Sequence, residues 1–292
     1  MALNEEIINT DIVIPVYKNY DEIKILIDSF KIQENININN IICPLTLSNT
    51  KEDSNIIGYL KDNGIKYFTV NKNEFSHSLV REKAIKEYCS INVVILLTQD
   101  VKLINRNSMY NLAKDVFNGK VAYAYGRQIC SIRTLERYIR EFNYPKESYI
   151  ISKNDIEKRQ LKAFFASDVF AALNRNVFIK LKGYKGLALS TNEDMLYMHS
   201  ILTNGYKAKY CADAIVEHYH SLTPIRLYKR YFEAGRFFKK VRIFDQYNKN
   251  VSGKELAFYI LKESLIHFDI ISVIRWPFNM AIRYIGLKRG SR

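Results

Sequence analysis

Three polar clusters in this chain are equipped for joint chemistry. Asp100 stands at the tip of an apolar run, Val93-Val94-Ile95-Leu96-Leu97, after Thr98 and Gln99. An acidic pair, Glu193-Asp194, follows about ninety residues on, and His218 and His220 lie beyond it, two of the five histidines in the chain. A carboxylate and imidazoles can share a divalent cation. A second carboxylate within hydrogen-bond reach of a hydroxyl can take its proton. Each cluster also has a plainer reading. Asp100 fits a helix or turn cap as well as it fits a ligand. Glu193 and Asp194 suit a helix N-terminus, where the dipole favours negative charge. A period of two puts His218 and His220 on one side of an extended segment, where they also fit a packed core.

The elements around these clusters read as an alternating α/β chain. Asp11-Ile12-Val13-Ile14-Pro15-Val16-Tyr17 predicts a buried first strand and the loop after it, since a continuous β-branched run suits a parallel strand covered on both faces. Asp21 opens a helix with Ile23, Leu26, Ile27 and Phe30 on one face. A second strand over 39–47 runs into the polar loop 48–54. A helix over 55–63, stopped by Gly64, and a third strand over 65–70 follow. This alternation predicts a parallel sheet with right-handed crossovers, whose ligands sit beyond the carboxyl ends of the strands. Asp100 stands at such an end. The glycine-rich dinucleotide fingerprint is absent after the first strand, so a nucleotide falls to the loops after strands one and two.

Further on, His77 and Arg81 are four apart and share a helix face. Arg81 is placed for a phosphate or a base, or else pairs with Glu74 or Glu82. A helix over 106–118 turns Met109, Leu112, Ala113 and Phe117 inward, and a strand over 121–125 ends in Gly126-Arg127-Gln128. The charged, aromatic stretch 134–148, continued over 154–159, reads as a lid beside a cleft or as plain surface. Asp168 interrupts the apolar run 163–173, where a carboxylate needs partners or a function. Two strand-like runs, 206–211 and 214–216, lead to the histidines.

Composition narrows the partners. The chain has 292 residues, 48% of them hydrophobic, enough for a full core. Its net charge of +14 is concentrated at the end, where Arg226 to Arg292 holds fifteen Lys or Arg against five Asp or Glu. A basic, aromatic tail points to an anionic partner such as membrane headgroups, a phosphorylated lipid or nucleic acid. Zinc-finger and stacked-aromatic sheet motifs are absent, which argues against nucleic acid. Cys43, Cys89, Cys130 and Cys211 show no paired spacing and read as reduced thiols of a cytosolic protein. No segment has the apolar length of a spanning helix, and the N-terminus lacks a signal-peptide pattern.

In order along the chain, these stretches resemble the inverting glycosyltransferases of family two, and most of all their rhamnosyltransferase branch. The matching stretches are Ile14-Pro15-Val16-Tyr17-Lys18-Asn19, then Glu74-Phe75-Ser76-His77 with Arg81, then Leu97-Thr98-Gln99-Asp100 and Tyr125-Gly126-Arg127-Gln128. The run from Ala166 to Ala172, the pair Glu193-Asp194, Val216-x-His218-x-His220-Ser221, Arg230-Tyr231-Phe232-Glu233-x-Gly235 and the ending from Arg283 to Lys288 complete it, so that it covers roughly residues 8 to 290. The chain departs from the pattern in three places. Leu47-Ser48-Asn49-Thr50 replaces an acidic motif, Glu82 stands where Asn usually follows the helix Arg, and Asp100 is the one acid left of an Asp-x-Asp.

The resemblance implies a GT-A fold, an α/β architecture with a Rossmann-like, mostly parallel sheet flanked by helices, over residues 1–222. A helical, basic-aromatic extension would occupy 223–292. It implies transfer of a sugar, L-rhamnose from dTDP-rhamnose, to a saccharide or polyprenyl-diphosphate-linked acceptor in bacterial surface polysaccharide synthesis. Another dTDP- or UDP-linked hexose or N-acetylhexosamine is an alternative donor, and a non-catalytic scaffold an alternative role. In this scheme Asp194, beside Glu193, is the catalytic base. Mg²⁺ or Mn²⁺ rests on Asp100, His218 and His220. Pro15, Tyr17, Asn49, Arg81, Gln99 and Arg127 frame the nucleotide sugar, and Asp168 and Arg230 contact sugar or acceptor. The expected place is the cytoplasm, at the inner face of the cell membrane, with an anionic membrane surface as partner and no nucleic acid.

Overall fold

A computed structural model of the chain describes residues 6–132, 134–219, 222–247 and 250–292. These residues build a nine-stranded mixed sheet, and its first half is parallel as expected. β1 (Ile8–Val13), β2 (Ile36–Leu47), β3 (Lys66–Asn71) and β4 (Val93–Leu97) lie in the order β3-β2-β1-β4. The crossovers are α1 (Tyr20–Ser29), α2 (Lys51–Asp62) and α3 (His77–Lys83), the last extended by a π-helical turn over Ala84–Tyr88. β4 is buried at every position, which accounts for its unbroken Val-Val-Ile-Leu-Leu.

The second half mixes directions. It comprises β5 (Val101–Leu103), α4 (Ser108–Phe117), β6 (Tyr123–Ile129), α5 (Leu135–Asn143), β7 (Tyr149–Ile151), α6 (Ile156–Arg159), β8 (Phe170–Asn174), α7 (Arg175–Lys180), α8 (Glu193–Thr203) and β9 (Ala208–His218). β8 runs antiparallel between β4 and β6, β9 is parallel to β6, and β5 and β7 pair antiparallel with β9. The β5–β9 register sets Val101 opposite His218, which brings Asp100 to the histidine strand.

Several boundaries differ from the sequence expectation. β1 stops at Val13, and Val16 makes only an isolated bridge to Leu45. α2 begins at Lys51 rather than 55, because the Asp53 carboxylate gathers the preceding loop, accepting from Ser48 N (2.9 Å), Asn49 N (2.8 Å) and Ser48 Oγ (2.7 Å). In α4 it is Val116 that packs inward, while Phe117 stays 37% exposed. The runs 206–211 and 214–216 are one strand, whose register against β6 jumps from Cys211 to Ile215 at Gly126/Arg127. Gly126 fits this bulge because a Cβ there would stand 2.7 Å from Ala214 O and 2.5 Å from the Phe170 ring.

Asp11 ties the base of the sheet. It is fully buried, and its carboxylate accepts from Ser90 N (2.6 Å), Ile91 N (2.9 Å), Asn39 (3.0 Å) and Asn40 (2.8 Å). Burial raises its pKa, but these hydrogen bonds outweigh burial and hold the carboxyl below its ordinary value. Asp11→Ala orphans four donors and is expected to cost about 3 kcal/mol, read as a lower urea midpoint. Because the native pKa is depressed, Asp11 stabilises the fold above the ordinary carboxylate pKa. That stability is lost as pH falls through the native value.

Three helices close the chain: α9 (Pro224–Lys240), α10 (Asn250–Ile266) and α11 (Ile270–Gly290). α9 enters the main core through Phe237, and Val241 and Phe244 follow it in. α9 and α11 cross so closely that a Cβ on Gly235 would lie 2.3 Å from Leu287 O, and one on Gly290 1.9 Å from Phe232 O. α10 packs on α5, joining Leu256, Tyr259 and Ile260 to Leu135, Tyr138 and Ile139. The apolar stretch from Leu256 to Trp276 is two helices, broken where Asp269 caps α11 by accepting from Ser272 N (3.1 Å).

Candidate active site

A cavity of about 960 Å³ opens between the sheet's C-terminal edge and α5, α9 and α10. Asp194, His218 and Arg230 all line it, together with Arg140, Tyr144 and Ser167. Three of the residues singled out in the sequence thus meet here from distant segments.

Asp194 sits in the first turn of α8, which aims backbone N–H groups at its carboxylate. Met195 N donates to Oδ1 (2.7 Å), and Asp168 N lies 3.4 Å from Oδ2. Burial drives its pKa well above the ordinary carboxylate value, and the negative charges of Glu193 and Asp168 push it further the same way. A carboxylate raised in this manner is a stronger base than a solvated one.

Glu193 and Arg81 do not line the cavity. They form a buried ion pair with each other, 5% and 3% exposed. Burial lowers the Arg81 pKa, but Glu193, then Asp168, outweigh it and hold the guanidinium charged. His77, on the same face of α3, is kept neutral, its pKa pushed down to about 3 by burial and by Arg81. Asp168, expected to contact sugar or acceptor, does not line the cavity but is buried, with one carboxylate oxygen taking Tyr123 Oη (2.7 Å) and the other Tyr184 Oη (2.6 Å). Its pKa is raised, chiefly by burial. The departure at Glu82 has a local use. Its Oε2 accepts from Tyr184 N (3.1 Å) and Gly186 N (3.3 Å), anchoring the glycine-rich loop before α8.

Asp100 and His218 face each other, with Nε2 3.5 Å from Oδ2. His220 lies outside the described residues. Among the described residues no three His, Cys, Asp or Glu gather as a metal cluster. A carboxylate and an imidazole facing across 3.5 Å nevertheless fit two ligands of a divalent cation.

Pro15, Tyr17, Asn49 and Gln99, expected to frame the nucleotide sugar, lie at the ends of β1, β2 and β4, outside the cavity. Gln99 clamps the loop after β1. Its Oε1 accepts from Tyr17 N (2.7 Å), and its Nε2 donates to Tyr17 O and Lys18 O (3.2 Å each) and to Glu22 (3.1 Å). Tyr17 itself is 37% exposed. Asn49 adopts φ +60° under Asp53. Pro15 and Arg127 do not line the cavity, and Arg127 is half-buried next to Tyr210. Releasing the loop should weaken donor binding. Gln99→Ala is expected to raise the donor KM several-fold with kcat little changed, as measured by steady-state kinetics.

Sequence reasoning passed over Gln128 and Arg140. Gln128 ends the Tyr125–Gln128 stretch, where nothing local gives it a role, and Arg140 lies in the stretch that reads as a lid or as plain surface. Both are buried beside His218, Gln128 at 1% and Arg140 at 8% exposure. The only sequence signal was a Gln at a strand end, which many surface strands also carry.

No family model matches the chain. Over 175 residues it is 35% identical to the O-antigen chain rhamnosyltransferase RfbN of Salmonella typhimurium, covering 59% of this chain and 55% of that protein. Over 193 residues it is 36% identical to the O-antigen chain rhamnosyltransferase WbaN of Salmonella anatum, covering 65% and 60%. The chain therefore matches a little over half the length of these curated relatives. Among solved structures it is similar to the mannosyltransferase PcManGT of Pyrobaculum calidifontis, in complex with GDP-Man and Mn²⁺, with a TM-score of 0.62 at 12% identity, covering 97% of this chain and 85% of that one. It is also similar to residues 1–349 of S. aureus TarS, with a TM-score of 0.53 at 11% identity, covering 87% and 69%. The expected GT-A architecture is the one observed, and in sequence the chain is similar to O-antigen chain rhamnosyltransferases over a little more than half of their length.

Proposed function

We propose that this chain is an inverting, metal-dependent glycosyltransferase of O-antigen-type surface polysaccharide synthesis. In this reading a nucleoside-diphosphate sugar, L-rhamnose on dTDP in the first instance, gives its sugar to a saccharide hydroxyl. The observation that carries the reading is Asp194, a carboxylate of raised basicity that lines the cavity together with His218. Asp194 accepts the proton of the acceptor hydroxyl, whose oxygen attacks the anomeric carbon opposite the leaving diphosphate. The bond to the diphosphate breaks as the new glycosidic bond forms, so the configuration inverts. Asp100 and His218 would hold Mg²⁺ or Mn²⁺, which when bound neutralises charge on the leaving diphosphate. The Pyrobaculum neighbour, in complex with GDP-Man and Mn²⁺, supports that choice. The loops after β1 and β2, with Tyr17, Gln99 and Asn49, form the nucleotide side. Arg230, with Lys158 and Arg159, lends the cavity a cationic wall suited to a diphosphate-linked acceptor. The test is release of nucleoside diphosphate from dTDP-rhamnose, UDP-galactose and UDP-N-acetylglucosamine with a polyprenyl-diphosphate saccharide present. Turnover with one donor, abolished by EDTA, is expected. Silence with all three would remove the reading.

We also propose that residues 223–292 hold the enzyme on an anionic membrane surface at the inner face of the cell membrane. No helix among the described residues is long and apolar enough to cross a membrane. The α10–α11 corner instead presents Phe268 (88% exposed), Ile271, Ile274 and Phe278, with Lys262 and Arg275 alongside. Apolar side chains beside cations suit an interfacial lipid contact. Replacing Phe268, Ile271 and Ile274 together by Ser is expected to lower partition onto phosphatidylglycerol vesicles at least about tenfold in flotation. Unchanged flotation would count against this surface.

A further inference from the structure

A histidine binds a metal through a nitrogen that carries no proton, so what matters is which ring nitrogen holds the hydrogen. Around His218 the neighbours decide this. Gln128 on β6 is buried, and its Nε2 donates to Tyr144 Oη (2.6 Å) and Ser167 Oγ (2.8 Å). Its Oε1 receives Arg140 Nη1 (2.6 Å). A guanidinium has only donors, so Arg140 fixes which end of the amide is oxygen. His218 Nδ1 lies 2.9 Å from that same Oε1 and 3.3 Å from Arg140 Nη2.

Between these two neighbours, Nδ1 either donates to the amide oxygen or accepts from the guanidinium. The shorter contact favours donation. The far side of the ring agrees. With the hydrogen on Nε2, the ring would donate to the Asp100 carboxylate, and such a bond closes to about 2.7–2.9 Å. The observed separation is 3.5 Å, longer than such a bond.

We infer that Gln128, oriented by Arg140, is a positioning residue that holds His218 in the Nδ1–H tautomer and turns the Nε2 lone pair toward the cation beside Asp100. The inference rests on the metal reading proposed above. It assigns to Gln128 of the β6 motif and to Arg140 of α5 a role in metal affinity rather than substrate contact. Arg140 reaches the site from α5 and His218 from β9, so the relay also couples α5 to the metal site.

Two measurements on the full chain test it. In metal-free protein labelled with ¹⁵N in its histidine rings, long-range ¹H–¹⁵N correlation reads the tautomer, with His218→Gln assigning the signal. Wild type is expected to show Nδ1–H. In Gln128→Leu, where the Arg140 donor is left facing Nδ1, the hydrogen is expected on Nε2. Mn²⁺ titration by electron paramagnetic resonance should show affinity falling about 10–100-fold in Gln128→Leu, the usual effect of losing a partner behind a ligand. Gln128→Glu keeps an oxygen facing Arg140 and His218, and should stay within about threefold of wild type on the same scale. A merely structural role for Gln128 would not move the tautomer, nor be rescued by Glu. Nε2–H in wild type, undiminished Mn²⁺ binding in Gln128→Leu, or equal losses in Leu and Glu would each overturn the inference. Absence of Mn²⁺ binding by wild type with the Nδ1–H signal intact would count against the metal reading alone.

Discussion

Asp194→Asn is expected to lower kcat by about 10²–10⁴-fold while leaving donor KM close to wild type, because a proton acceptor is removed and the nucleotide loops are untouched. The amide is isosteric and can still accept from Met195 N, so the fold should persist. Stability should hold or rise. The native pKa of Asp194 is raised by burial and by neighbouring carboxylates. A raised carboxyl contributes its stability below the unfolded pKa and loses it as pH climbs through the native one, so at neutral pH the ionised group costs stability that Asn does not. The same shift sets a pH signature. Wild-type kcat should fall on the acid side with an apparent pKa above the ordinary carboxylate range, and this limb should be missing from the residual rate of the variant. A Tm loss accompanying the rate loss would point to a structural role instead.

The second large effect belongs to Arg81. Removing one partner of a buried ion pair leaves the other uncompensated, which costs about 3–5 kcal/mol. Arg81→Leu leaves Glu193 in that position, at the first residue of α8 and next to Asp194. At about 2–4 °C per kcal/mol for a chain near this size, Tm should drop by roughly 10 °C in differential scanning calorimetry. Arg81→Leu combined with Glu193→Leu removes both charges and should recover much of the loss. If Arg81 instead served the donor phosphates, the single variant would keep its Tm and lose donor affinity. The two outcomes are easily separated.

The sequence was most legible where one residue type has one physical use. The apolar run of β4 reads as a doubly covered strand, and it is one. The polar tip at Asp100 follows from where parallel strands end. Asp194, His218 and Arg230 came together because the resemblance supplied an order that periodicity alone cannot. What stayed hidden depends on partners far along the chain. Nothing in the local pattern of α3 says that Arg81 meets Glu193 rather than Glu74 or Glu82, since the pairing spans 112 residues. Asp53 reshaped the start of α2 through backbone hydrogen bonds that composition does not encode. The bulge in β9 split one strand into two runs, so the periodicity reads as two elements. Arg140 looked like surface charge because its burial is created by Gln128, His218 and the C-terminal helices around it.

The stereochemistry of the product bears most directly on Asp194 as base in a single displacement. With the donor that turns over, ¹H NMR of the first-formed product should show the anomeric configuration inverted relative to the nucleotide sugar, and Asp194→Asn should form the same product far more slowly. A product with retained configuration, or wild-type rates in Asp194→Asn, would contradict the account.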